Sequence, residues 1–116
     1  MRKTGFVFLS VLWLTVAAHA AALDLTGKWE AQVMGFPVTA EFTQKGKLLS
    51  GVLVLRDITG QSNTYHLSGT IVDGFFAAVH GSGHMLRGTM LGPNEADGEF
   101  TLKDAQPLPI HLRRVR

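Results

Sequence analysis

From Leu25 onward, apolar and polar residues alternate in short runs, and one five-residue form of the alternation recurs. LTGKW opens at Leu25, LSGVL at Leu49, LSGTI at Leu67, LRGTM at Leu86 and, more weakly, ADGEF at Ala96. Strand side chains point to alternate faces, so the apolar residues and the glycine of each copy share a face. Leu67, Gly69 and Ile71 then point inward while His66, Ser68 and Thr70 point out. The same phase turns Leu25, Gly27 and Trp29 inward, with Leu49, Gly51 and Leu53, with Leu86, Gly88 and Met90, and with Gly98 and Phe100. About eight short strands are predicted, near 25–33, 37–44, 48–56, 64–72, 75–80, 84–91, 97–103 and 108–115. Nothing in that span has helical periodicity.

The turns test the phase. Asp73-Gly74 is a strong two-residue hairpin signal that pairs Val72 with Phe75 and Ile71 with Phe76. Lys45-Gly46 is a weaker one, pairing Phe42 with Leu49, and a Gly81-Ser82-Gly83 loop pairs His80 with His84 and Ala78 with Leu86. All three keep inward residues opposite inward residues. The expected fold is all-β: an antiparallel up-and-down meander closing into a small barrel, with a two-sheet β-sandwich as the alternative. Inward glycines favour the barrel, because a strand bends where no side chain resists it.

The predicted interior holds Trp29, Phe42, Tyr65, Phe76 and Phe100 among leucines, isoleucines and alanines. A barrel of eight strands is just wide enough to fill with side chains or to hold one small ligand. Outside, the phase places Val52, Val54, Val72, Phe75, Ala77, Val79, Met85 and Leu91 on adjacent strands. A contiguous apolar patch of that kind marks interaction surfaces, or else the buried face of a sandwich.

The N-terminus has the form of an address. Arg2 and Lys3 precede an apolar run, Phe6 to Ala18, and Ala18-His19-Ala20 is a small-x-small cleavage site. Residues 1–20 are therefore read as a secretory signal peptide, with a cut after Ala22 as the near alternative, and 21–116 as one domain. The apolar run is shorter than the roughly 20 residues of a membrane-spanning helix. The chain has 11 Lys+Arg and 9 Asp+Glu. Removing Arg2 and Lys3 leaves 9 against 9 (11 − 2 = 9), so the basic balance belongs to the leader and gives no support to a nucleic-acid partner. With no cysteine, the domain has neither disulfides nor thiolate chemistry. Export without disulfides suits a bacterial periplasmic or secreted protein, and an apolar interior argues against stable membrane insertion after signal removal.

Gly27-Lys28-Trp29 on the first strand, with Arg113, Arg114 and Arg116 on the last, resembles the G-x-W and terminal-Arg signature of the calycins. These are the lipocalins, fatty-acid-binding proteins and avidins. The resemblance implies that Trp29 closes one end of an up-and-down barrel and that Arg114, with Arg113 as the fallback, packs across it. LTGKWE is also similar to the start of avidins, and small exported bacterial domains of unassigned activity share the same texture. The chain departs from avidins in having a single Trp after the leader and no match to their biotin-binding residues, and from lipocalins in its shortness. Shape carries over; ligand does not.

Candidate chemistry is sparse. His80 and His84 flank a tight loop and, with Tyr65 and Phe76, are the candidate ligand-binding residues at a barrel mouth. As metal ligands the two histidines are weak candidates, since zinc takes three or four donors. Glu95, Asp97 and Glu99 alternate along a strand and lack the six to eight oxygens of a calcium site; a solvated face is expected. No G-x-S-x-G elbow supports nucleophilic catalysis. The sequence therefore predicts a non-enzymatic exported binding module for a small apolar or amphipathic ligand, without a cofactor. The alternative is a protein-interaction module, working as inhibitor, subunit or homo-oligomer through Val72, Phe75, Val79 and Met85.

Overall fold

The computed structural model of the chain describes residues 23–115; the expected leader and both cleavage points lie outside them. The strands are β1 (Gly27–Val33), β2 (Phe36–Lys45), β3 (Leu48–Arg56), β4 (Ser62–Val72), β5 (Phe75–Val79), β6 (Met85–Gly92), β7 (Glu95–Thr101) and β8 (Leu108–Arg114). Each pairs antiparallel with its neighbours in sequence, and β1 meets β8 through Trp29↔Arg114 and Glu30↔Arg113, closing a barrel. The meander and the barrel are as expected, and the sandwich is not formed.

Two of the three turn readings hold residue by residue. Val72 faces Phe75 and Ile71 faces Phe76 around Asp73-Gly74, where φ is 51° and 82°. Ala78 faces Leu86, and the His80 amide donates to His84 O at 2.8 Å around Gly81–Gly83. The third is corrected. The residue with positive φ is Gly46 (60°), which takes the first loop position, so the loop is Gly46-Lys47 and Lys45 pairs with Leu48. A turn of this kind puts glycine first. Phe42 accordingly faces Gly51 instead of Leu49, a slip of two residues that preserves the inward phase.

That slip explains part of the glycine repeat. The Phe42 ring occupies the space that a side chain on Gly51 would need, and a Cβ on Gly88 would meet the Asp97 backbone carbonyl and, at 2.8 Å, Phe76 Cζ. Each of these glycines is the cross-strand partner of the phenylalanine that covers it. At Gly69 and Gly98 the crowding comes from backbone, the carbonyls of Ala77 and Arg87. The inner glycines thus admit either a phenyl ring or a closely approaching strand, and the strongly coiled sheet closes around them.

The interior is filled. Trp29, Phe42, Leu53, Leu67, Ala78, Leu86, Phe100 and Leu112 are all buried, and Tyr65, Leu55, Leu102 and Leu108 pack against them half-buried. One end is sealed by Trp29 and Arg114. The Arg114 guanidinium carbon lies 4.4 Å from the Trp29 ring centroid. Its nitrogens donate to Thr26 O and Asp24 O at 2.5 Å and to Pro93 O at 2.9 Å, while Trp29 Nε1 donates to Leu25 O at 2.9 Å. Gly27, at φ 131°, leaves room for this guanidinium, since a Cβ there would sit 2.7 Å from Nη1. Arg114 therefore fills the role expected of it. Arg113 points to solvent, opposite Glu30 and Glu95.

Candidate functional site

The far end of the barrel, where the β1–β2, β3–β4, β5–β6 and β7–β8 loops gather, is built differently. His80 leaves β5 and His84 enters β6 across the Gly81–Gly83 loop, and their rings lie nearly parallel (11°) with centroids 5.8 Å apart. The Tyr65 ring stands edge-on to both, at 5.5 Å from His80 and 4.9 Å from His84, and Phe100 packs beneath Tyr65 at 5.5 Å. Three of the four candidate ligand-binding residues therefore converge. The fourth does not: Phe76 is buried near the opposite end of β5, covering Gly88. Alternation put Phe76 on the correct face, but the strand direction carries it away from His80.

Backbone partners fix the chemistry of the imidazoles. His80 Nδ1 lies 3.0 Å from His66 O, and a carbonyl can only accept, so Nδ1 carries the proton. His84 Nδ1 accepts from the Lys103 amide at 2.9 Å, so its proton in the neutral ring is on Nε2. His84's lone pair is thus engaged, and the two rings cannot chelate one metal ion without losing the Lys103 bond. Among the described residues, no group of three or more His, Cys, Asp or Glu side chains is arranged to hold a metal.

The other candidate is the outer wall of β4, β5 and β6. Phe75 is 64% exposed, Val79 51%, Val72 46% and Met85 37%, and cross-strand register joins Val72 to Phe75 and Val79 to Met85. Leu48, 68% exposed, extends the patch one strand further through its pairing with Thr70. Leu48 is not among the expected outward residues, and the β3–β4 register makes it a neighbour of the wall. Beside Phe75 lies a shallow, open depression over the paired glycines Gly88 and Gly98, flanked by Arg87 and Glu99. Arg87 donates to Glu99 at 3.1 Å, so the flank is internally neutralised.

Glu95, Asp97 and Glu99 are solvent-exposed, as expected, and a histidine joins two of them. His111, on β8, sits between Asp97 (Nδ1–Oδ1 2.6 Å) and Glu95 (Nε2–Oε2 3.0 Å). The Asp97 hydrogen bond holds the imidazole pKa above its ordinary value; burial opposes it, and the Asp97 charge and the Glu95 contacts add to the rise. Both ring nitrogens are taken by carboxylates, leaving none to activate a nucleophile. The trio ties β7 to β8 on the outer face. Sequence spacing within one strand could not show it, because the histidine arrives from the neighbouring strand.

No protein-family model matches the chain, and no curated protein matches it. The class defined by the structure is a closed eight-stranded antiparallel barrel, compatible in shape with the calycins.

Proposed function

We propose that the protein is an exported, non-enzymatic interaction module of calycin-like shape that associates through the outer wall of β4, β5 and β6. The contiguous apolar patch around Phe75 carries this reading. Strands β4, β5 and β6 are each paired on both sides, so association at this wall would use side chains instead of a sheet edge. Six large apolar side chains, Leu48, Val72, Phe75, Val79, Met85 and Leu91, stand exposed on β3 to β6. The filled interior supports a surface role over an enclosed ligand.

The occupant that best fits this wall is a second copy of the chain. A two-fold contact needs a patch complementary to itself, and here a projecting phenyl, Phe75, stands beside a depression over Gly88 and Gly98. Each copy can place its Phe75 in the other's depression. Residues 21–116 carry 9 basic and 9 acidic side chains, so copies do not repel one another through net charge. Phe75→Lys is expected to abolish association while leaving thermal stability within about 0.5 kcal/mol of the parent, as for an exposed site. Equal association of parent and variant by light scattering would remove the wall from the account.

The small-ligand reading keeps one support of its own, the half-buried hydrophobic residues collected at the histidine end. Export to the periplasm or medium rests on the leader at residues 1–20, and signal processing of the secreted chain tests it.

A further inference from the structure

Phe75 belongs to a row of outward side chains that runs straight across the sheet. Register joins Phe75 on β5 to Thr89 on β6, Thr89 to Asp97 on β7, and Asp97 to His111 on β8. The next outward row toward the histidine end reads Ala77, Arg87 and Glu99. Between the two rows lies the depression over Gly88 and Gly98, and Asp97 and Glu99 both line it. With strands roughly 4.8 Å apart, Asp97 stands about 10 Å from Phe75 along the row. The two carboxylates are neutralised in unlike ways. Glu99 accepts from Arg87 at 3.1 Å, and a guanidinium keeps its charge at any working pH. Asp97 is held by His111 at 2.6 Å, and an imidazole gives up its charge near neutrality. No other group replaces that cation. Glu95 is the second carboxylate on His111, 3.0 Å from Nε2. Arg113 lies beside Glu95 in register and faces Glu30 of β1 as well. Gln32 of β1, which lines the same hollow as His111, is uncharged.

We propose, on the basis that two copies associate through the Phe75 wall, that proton loss from His111 loosens the dimer. The Phe75 ring of one copy, seated over the depression of the other, takes water from the Asp97 lip. With His111 protonated, the carboxylate keeps a cation beside it as that water leaves. With His111 neutral, Asp97 keeps at most a hydrogen bond from Nδ1–H, and a carboxylate without its counter-charge is costly to dry. Nε2 then turns a lone pair toward Glu95, so that contact is lost too. Two-fold symmetry places the change on both copies at once. The folded pKa of His111 lies above its ordinary 6.5. The dimer is therefore tightest below that value and weakens as pH rises through the raised one.

Sedimentation of the secreted chain at about pH 6 and about pH 9, either side of an imidazole's titration, tests this with His111→Asn and Asp97→Asn beside the parent. The parent's dimer dissociation constant should rise at least about three-fold between the two, in keeping with one exposed charge pair lost on each copy. His111→Asn has no cation at either pH, so its constant should equal the parent's alkaline one at both. Asp97→Asn has no carboxylate to compensate, so it should stay as tight as the acid parent at both. A parent that is monomeric at both pH values overturns the Phe75 contact and the role of His111 with it. A parent dimer of equal strength at both, or a His111→Asn dimer that keeps the parent's pH dependence, overturns the role of His111 and leaves the contact standing.

Discussion

Gly51 and Gly88 show how a residue with no side chain can be specified by a neighbour's. Each lies opposite a phenylalanine whose ring crowds the vacant space, joined at Gly88 by the Asp97 carbonyl. Gly88→Ala should therefore destabilise by about 1–3 kcal/mol, the usual range for overpacking. Gly81→Ala, in open space on the loop, should be neutral or stabilise by up to about 1 kcal/mol. Urea denaturation of the pair distinguishes a packing role from a mere preference for flexible chain. At the sealed end, Arg114→Lys removes the planar fork that serves three carbonyls and covers Trp29. A loss of about 1–3 kcal/mol is expected. His111 gives a pH signature. Its folded pKa is raised, so its contribution is full below the unfolded value of about 6.5 and is lost as pH rises through the folded one. The side chain is largely exposed, so the effect is small. His111→Asn should remove that slope from a plot of melting temperature against pH, and an unchanged slope would place its origin elsewhere.

At the scale of elements, local signals were readable where chemistry is local and were lost where register decides. Asp73-Gly74 announces a tight hairpin because both positions tolerate positive φ. Lys45-Gly46 has the same composition of signal but only one residue suited to positive φ, and the loop slides to Gly46-Lys47. Met34-Gly35 carries φ of 52° and 83° between β1 and β2, though methionine gives no hint of it. Met34 is exposed there, so Met34→Asn should relieve a left-handed conformation and raise stability by about 0.5–1 kcal/mol, measured as a rise in melting temperature. The candidate site divides in the same way. His80 and His84 were legible because they flank one turn, and Tyr65 because it shares their face. The Lys103 amide that fixes the His84 tautomer comes 19 residues later, and Asp97 and Glu95 meet His111 across strands. Neither contact leaves a trace in sequence spacing.

The whole molecule is a barrel with one sealed end, one end of mixed aromatic and imidazole character, and an apolar wall between them. The proposed association uses the wall around Phe75, where the exposed apolar side chains of β4, β5 and β6 gather. The most direct test of that claim is sedimentation velocity of the secreted chain over a hundred-fold range of concentration, about 1–100 µM. A single shift from monomer to dimer with no larger species is expected, since a two-fold contact closes on itself. A monomer at every concentration would contradict it.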